Sequence, residues 1–332
     1  MKPYFHAFLF TMMVLNVAAC AIIDTPVPSP FTIPGGAEVR GVFRGITPCS
    51  SETRPLPQIP ADSDCEQMIW NLVLYQNPET GTPTTYRLES AYGRSKPNTN
   101  DLIDGGTLIV MQGTWTISTG TKTDPKASVY QIRADDSPIA ISFLKVSDNL
   151  LHILSREKTL LVGNGAWSYT LNRMDNQNSP AGDAPPNSFP EPPTRPPLPP
   201  MPEGSSVFGA FEGRMPCHAL VIEVMQITPV PHCLKIKWRV TLYQEEATGT
   251  PSTYLSMGTS TFRKGTWEIL RGTAEDPEAV VYRLHLDNAQ EPVSFLRVDE
   301  NNLFLLDRAM NLLVGNELFS YTLSRTDPKI QG

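Results

Sequence analysis

A group of residues that could bind a soft metal ion lies in one short segment in the second half of this 332-residue chain. Cys217 is followed directly by His218, and Cys233 is preceded directly by His232. Thiolate and imidazole groups are ligands that suit Cu(I) and zinc. One interpretation of this segment is therefore a copper or zinc site formed by these four side chains.

Another cysteine pair, Cys49 and Cys65, lies in the first half of the chain in the same sequence context. Its spacing is the same as that of the later pair, but Ser50 and Asp64 occupy the positions of the two histidines. Any metal site would therefore belong to the second half alone.

The two halves are copies of one sequence, which we call repeat 1 and repeat 2. Several segments recur in the same order: Gly41-Val42-Phe43-Arg44-Gly45 as Gly209-Ala210-Phe211-Glu212-Gly213, Leu74-Tyr75-Gln76 as Leu242-Tyr243-Gln244, and Gly113-Thr114-Trp115 as Gly265-Thr266-Trp267. The offset is 168 residues between Gly41 and Gly209 but 152 residues between Gly113 and Gly265, so repeat 1 contains a 16-residue insertion between Tyr86 and Gly113. Such a duplication predicts two domains with the same fold.

Each repeat has the sequence pattern of short β-strands. Apolar and polar residues alternate, and β-branched and aromatic residues are frequent, in residues 69–75, 114–118, 128–133 and 167–171. Turn-forming clusters such as Asn77-Pro78-Glu79-Thr80-Gly81 separate these runs. The pattern predicts an all-β fold, with an antiparallel sandwich or a small barrel in each repeat. Four tryptophans with apolar neighbours are expected to pack in the cores, and the lining of an internal cavity is the alternative: Trp70, Trp115, Trp238 and Trp267.

A proline-rich segment separates the two repeats and contains runs such as Arg195-Pro196-Pro197-Leu198-Pro199-Pro200. Such a segment favours polyproline II, which extends by about 3.1 Å per residue. We expect a semi-rigid linker over residues 175–206 that can hold a first domain, residues 41–174, several nanometres from a second domain, residues 207–327. A ligand for an aromatic groove is the alternative interpretation of the prolines.

The N-terminus has the pattern of an export signal. An apolar run over residues 7–19 follows Lys2, and it is too short to cross about 30 Å of hydrocarbon as a helix. The run ends in Val17-Ala18-Ala19-Cys20, which is similar to the lipobox of bacterial lipoproteins. This similarity implies that residues 1–19 are removed, that Cys20 is acylated, and that residues 20–40 form a tether. Ala21, where aspartate is the usual inner-membrane retention signal, implies the outer membrane. An ordinary signal peptide is the alternative.

Two motifs occur in both repeats: Gly-x-Phe-x-Gly-x-x-Pro-Cys, starting at Gly41 and Gly209, and Gly-Thr-Trp, starting at Gly113 and Gly265. With these motifs both repeats resemble the N-terminal domain of NlpE-type copper-resistance lipoproteins. The resemblance covers residues 41–173 and 207–326. It implies two lipocalin-like β-barrels on the periplasmic side of the outer membrane, a role in signalling envelope stress or surface contact to a two-component system, and copper tolerance.

The cysteines depart from the pattern of that family, which has Cys-x-x-Cys directly after the proline. Proline-containing insertions separate Cys49 from Cys65 and Cys217 from Cys233. The wider spacing argues against a vicinal redox or metal pair and favours one structural disulfide in each repeat, in keeping with the oxidising periplasm. For Cys217 and Cys233 the disulfide and the metal site are alternatives, because oxidation removes both thiolates.

Several functional classes are excluded by the sequence. The net charge of −7 does not provide the basic surface of a nucleic-acid-binding protein. The chain has no metalloprotease, nucleophile-elbow, phosphate-loop or dinucleotide-binding motif, and His152 and His285 are expected to be partly buried strand residues. We therefore expect a non-enzymatic, lipid-anchored outer-membrane protein without catalytic residues, which senses envelope stress or binds a periplasmic protein partner. The alternative is a periplasmic carrier of a small apolar ligand or of copper or zinc.

Overall fold

A computed structural model describes residues 36–50, 53–97, 99–135, 137–176, 199–218, 221, 233–258, 262–287 and 291–327. These residues form sixteen β-strands and a short 3-10 helix, which confirms the predicted all-β class. No helix among them is long and apolar enough to cross a membrane. Cys20, the signal sequence, residues 177–198 of the linker and His232 lie outside the described residues.

Repeat 1 folds into a closed barrel of eight antiparallel strands. The strands are β1 (Glu38–Pro48), β2 (Gln67–Gln76), β3 (Pro83–Gly93), β4 (Thr107–Thr119), β5 (Ser128–Ala134), β6 (Ala140–Ser147), β7 (Leu150–Ile153) and β8 (Thr170–Arg173). Each strand pairs with the next, and β8 closes the barrel by pairing with β1, where Arg173 lies opposite Phe43. The 3-10 helix (Ile103–Gly105) lies between β3 and β4.

Repeat 2 folds into a second closed barrel with the same connectivity. Its strands are β9 (Ser205–Met215), β10 (Ile236–Glu245), β11 (Pro251–Met257), β12 (Phe262–Arg271), β13 (Val280–Leu286), β14 (Val293–Arg297), β15 (Asn302–Leu305) and β16 (Thr322–Arg325). Strand β16 closes this barrel against β9, with Arg325 opposite Phe211. Eight strands in up-and-down order form the architecture of the lipocalins, so the predicted pair of small lipocalin-like barrels is confirmed.

Both barrels are filled by apolar side chains. Alternate residues of each strand point inward, and four tryptophans at most 3% exposed contribute to the cores: Trp70, Trp115, Trp238 and Trp267. The indole N–H groups have acceptors inside the barrels; for example, Trp115 donates to the carbonyl of Tyr75 and Trp267 to that of Tyr243, both at 2.6 Å. The tryptophans therefore pack in the cores, as the sequence predicts.

The glycine of the Gly-Thr-Trp motif lies where two strands approach closely. A Cβ at Gly113 would overlap the carbonyl oxygen of Arg133 on β5, and a Cβ at Gly265 would overlap that of His285 on β13. Only a residue without a side chain fits here, immediately before the threonine and tryptophan that continue the strand.

The 16-residue insertion of repeat 1 lengthens one hairpin. Strands β3 and β4 have 11 and 13 residues, whereas β11 and β12, their counterparts in repeat 2, have 7 and 10. Residues 113–119 of β4 pair with β5, but residues 107–112 pair only with β3. The hairpin therefore continues past the end of β5.

Candidate functional site

The four described cysteines form two disulfides at equivalent places in the repeats. Cys49 is bonded to Cys65, with their Cα atoms 5.3 Å apart, and Cys217 is bonded to Cys233, with their Cα atoms 5.8 Å apart. Of the two alternatives for the second pair, the structure contains the disulfide. Its sulfurs are therefore not thiolates and cannot bind copper or zinc in that form.

The structure describes one of the two histidines of the predicted copper or zinc site. The ring of His218 packs edge-on against Tyr321, with 5.9 Å between the ring centroids. His232 lies outside the described residues. Within the part of the chain that the structure describes, no cluster of three or more His, Cys, Asp or Glu side chains could hold a metal ion.

The disulfide of repeat 1 holds a loop against the barrel core. Leu56 and Ile59, which lie between the two cysteines, are 1% and 5% exposed. They belong to the same apolar cluster as Met68 of β2 and Met111 of β4. The segment between the cysteines therefore adds to the core, which gives this disulfide a structural role.

The acidic residues shared by the repeats form turns. The side chain of Asp124 accepts a hydrogen bond from the backbone N–H of Lys126 at 2.8 Å, and that of Asp276 accepts one from Glu278 at 2.9 Å. Each aspartate thus bonds the backbone two residues further on, which stabilises a turn.

His285, expected to be a partly buried strand residue, lies on strand β13 but is exposed. Its Nε2 is 2.7 Å from a carboxylate oxygen of Glu268 on the neighbouring strand β12. The prediction of burial was wrong here because the side chain points to the outer face of the barrel, where a cross-strand partner is available.

The outer faces of the two barrels are in direct contact. Three residues of repeat 1 meet their own counterparts in repeat 2: Ser168 Oγ lies 2.7 Å from Ser320 Oγ, Thr170 Oγ1 lies 3.0 Å from Thr322 Oγ1, and the ring centroid of His152 lies 5.9 Å from that of Phe304. The members of each pair are 152 positions apart, which is the offset between the repeats. The barrels are therefore related by an approximate two-fold axis through these contacts, as in an isologous dimer.

The barrels are in contact although the linker is long enough to hold them several nanometres apart. Polar side chains on strands β8 and β16 bond across the contact, and they are buried by it. A proline-rich linker sets the largest possible separation, but complementary outer faces determine where the barrels lie.

Away from the axis, the contacts between the barrels are reciprocal. The N–H of Gly315 donates to Asn172 Oδ1 at 2.9 Å, and the N–H of Gly163 donates to Ser324 Oγ at 3.1 Å. Asn172 and Ser324 are counterparts, as are the two glycines. The Asn172 side chain also donates to the carbonyl of Asn316 at 2.9 Å. A Cβ at Gly315 would lie 2.9 Å from Asn172 Oδ1, and one at Gly163 would lie 2.7 Å from Ser324 Oγ. The contact therefore depends on glycine at both positions.

His152, expected to be partly buried, is fully buried at this contact. Its Nε2 lies 2.8 Å from the carbonyl oxygen of Leu161, which can only accept, so Nε2 carries the proton. Its Nδ1, 3.0 Å from Thr170 Oγ1, then accepts the hydroxyl proton of Thr170, which in turn accepts from the hydroxyl of Thr322. Burial lowers the pKa of His152 to about 4, although the bond to Leu161 acts in the opposite direction. A neutral histidine therefore connects a hydrogen-bond chain that begins in the other barrel to the carbonyl of Leu161.

No protein-family model, curated protein or solved structure matches this chain. The groups that the repeats share serve folding in the described residues: the disulfides, the turn-forming aspartates and the buried tryptophans. Surface features are left as candidates for function.

Three surface cavities of about 420–430 Å³ are each lined in part by loop or linker residues. One lies between the loop of residues 53–61 and residues 139–142 and 154–161. Another lies beside Asp64 and Arg94 at the inserted hairpin. In the third, Pro199, Pro200 and Pro202 of the linker lie against β10, β11 and β12.

The inserted hairpin also carries exposed apolar side chains, which were not among the residues predicted from the sequence. Leu108 is 67% exposed and Val110 is 50% exposed, both on β4. The insertion itself was visible in the sequence, and its uncharged run over residues 107–112 was the available signal. This part of repeat 1 has no equivalent of the same length in repeat 2.

Proposed function

We propose that this chain is a non-enzymatic lipoprotein of the bacterial outer membrane that acts by binding another envelope protein. The observation that carries the proposal is that side chains fill both barrels, while apolar side chains are exposed on the outside of repeat 1. A filled barrel has little room for a small molecule, so its outer surface is the part available for recognition.

The strand order indicates which end of the first barrel would face the partner. At one end of the barrel, Glu38 at the start of β1 lies opposite Gln76. At the other end, Gln67 lies opposite Gly93, from which the inserted hairpin continues. A lipid on Cys20 would therefore hold the chain through the end of the barrel opposite to the hairpin, which leaves the hairpin free to meet a partner away from the membrane.

The up-and-down barrels also support membership of the NlpE-type family, whose resemblance implied this architecture. On that basis we propose that the partner transmits an envelope-stress or surface-contact signal, for example as the periplasmic domain of a sensor kinase. The carrier alternative is weakened by the filled cores and by the disulfide between Cys217 and Cys233.

The lipid anchor can be tested by metabolic labelling with a palmitate analogue, using the full chain and a Cys20→Ser variant. We expect label and outer-membrane fractionation for the natural chain, and neither for the variant. A natural chain that remains unlabelled would remove the anchor from the proposal.

The signalling role can be tested by overproducing the full chain in cells with an envelope-stress reporter, combined with crosslinking in the intact envelope. We expect reporter induction and one periplasmic crosslinked partner, with both reduced for Cys20→Ser. Unchanged reporter output together with no crosslinked partner would contradict the proposal. Native mass spectrometry tests the alternative function as a carrier, because added mass beyond the polypeptide and its lipid would identify a bound ligand or metal.

A further inference from the structure

The inserted hairpin leaves part of strand β4 with a free hydrogen-bonding edge. Residues 107–112 pair with β3 on one side, from Thr107 opposite Tyr92 to Gln112 opposite Arg87. On the other side, the pairing with β5 begins only at Gly113, opposite Ala134. No described strand pairs with that side of residues 107–112, which we call the β4 edge. Alternate backbone N–H and C=O groups therefore point outward along this edge.

The β4 edge lacks the features that usually block such an edge. Its sequence, Thr107-Leu108-Ile109-Val110-Met111-Gln112, contains no charged residue and no proline. At the offset of 152, the last two positions correspond to Arg263 and Lys264 in repeat 2. Charged side chains, especially lysine, are a common protection against strand addition. Repeat 2 has this protection and repeat 1 does not.

The side chains of the β4 edge define what an added strand would contact. Leu108 and Val110 lie on the outer face and are exposed, while Ile109 and Met111 face the core cluster. Six residues of strand extend about 20 Å, so a segment of five or six residues can pair along the whole edge. Apolar side chains at alternate positions of that segment would cover Leu108 and Val110, as cross-strand neighbours do in a sheet.

We propose that the β4 edge binds an extended, proline-free segment of another envelope protein by β-strand addition, with apolar side chains at alternate positions. Main-chain hydrogen bonds would give affinity, and the exposed leucine and valine would select the apolar side chains. This inference rests on the proposed function, since it names the surface that the partner would use.

A second copy of this chain fits the β4 edge less well than a foreign segment. A symmetric pair of copies would join the two edges in antiparallel orientation. Because β1 starts at the barrel end opposite to the hairpin, the two N-terminal tethers would then leave the dimer at opposite ends. Lipid anchors at opposite ends of a dimer do not suit insertion into one membrane. A complex with a foreign strand has a single tether and does not meet this difficulty.

The test uses the full chain to select binders from a phage library of random octapeptides, and then measures selected peptides by calorimetry. We expect peptides with alternating apolar residues and no proline, and protection of the amides of residues 107–112 from hydrogen exchange on binding. Val110→Lys and Leu108→Lys should each weaken binding at least tenfold. The matched control is Ile117→Lys, since Ile117 is 52% exposed on the same strand but outside the β4 edge. N-methylation of alternate peptide amides should abolish binding, because it removes main-chain donors.

Several outcomes would overturn the inference: no enriched peptide, peptides that bind Val110→Lys as well as the natural chain, or protection at another site. Dimerisation of the natural chain that Val110→Lys abolishes would also overturn it, in favour of a second copy as the occupant. The envelope crosslinking experiment separates the two proposals. If Val110→Lys keeps its crosslinked partner and its reporter response, this inference fails while the proposed function stands.

Discussion

Replacing Asn172 by alanine is expected to destabilise the contact between the barrels by about 2–4 kcal/mol. The side chain is fully buried and makes three hydrogen bonds to repeat 2. It accepts from the N–H of Gly315 at 2.9 Å and donates to the carbonyls of Asn316 and Phe319 at 2.9 and 3.3 Å. Alanine would remove the bonds that the N–H of Gly315 and the carbonyl of Asn316 make with this side chain in a buried place, where each unsatisfied group costs about 1–3 kcal/mol. The carbonyl of Phe319 still accepts from the N–H of Asn316 at 3.0 Å.

The two-fold relation supplies a matched control for Asn172→Ala. Ser324 occupies the equivalent position, but only one backbone group, the N–H of Gly163, bonds to its side chain across the contact, at 3.1 Å. Ser324→Ala should therefore cost about 1 kcal/mol. The difference between the two variants measures how many buried backbone groups each side chain satisfies.

The assay is urea unfolding of the full chain, followed by tryptophan fluorescence, with free energies from the midpoint and the slope. We expect the natural barrels to unfold together and the Asn172→Ala barrels to unfold at lower and separate midpoints, since contact between them is what couples their unfolding. An Asn172→Ala variant no less stable than Ser324→Ala would refute the reasoning, because the extra hydrogen bonds would then carry no energy.

Three further predictions concern stability. Because the pKa of His152 is lowered to about 4 by burial, the unfolded chain gains a proton as pH falls from 6.5 to 4 and the folded chain does not. Stability should drop by about 3 kcal/mol over that window, and His152→Gln should lack this part in urea titrations at stepped pH. Replacing Cys49 and Cys65 by serine should cost about 3 kcal/mol by the same assay, with the other disulfide intact; an unchanged midpoint would contradict a structural role. Gly265→Ala should lower thermal stability by about 1–3 kcal/mol through overlap with a carbonyl. Gly93→Ala, whose Cβ would meet its nearest neighbour, the Cα of Gly106, at 3.4 Å, should cost less, and the reverse order would refute the packing argument.

Local pattern in the sequence predicted the elements of the fold well. Alternation in β2 and β5, the turn clusters and the Gly-Thr-Trp motif all depend on neighbouring residues, so they are visible in one sequence. The residues alone left a sandwich and a barrel open, since closure depends on β8 meeting β1 across the whole repeat. The family resemblance indicated the barrel, and the pairing of Arg173 with Phe43 shows it.

The contact between the barrels could not be predicted from the same patterns. His152, Thr170 and Asn172 are polar residues on the outer faces of strands, and no local sequence pattern shows that these faces meet a second barrel. They are buried where the second barrel contacts them. The β4 edge depends in a similar way on a distant element, since it is free because β5 ends at Ala134. The insertion was visible in the sequence, but this consequence for strand pairing was not.

The pair of His152 and Phe304 shows what joining two copies in one chain permits. In a dimer of identical subunits, a residue on the axis faces another residue of its own kind. Two histidines there would place two titrating rings side by side, and two phenylalanines would leave the carbonyl of Leu161 without the imidazole that now bonds it. Covalent fusion lets one copy supply the proton-bearing ring and the other the apolar ring that packs against it, at 5.9 Å between centroids. Each half can therefore specialise at a place where exact symmetry would forbid it.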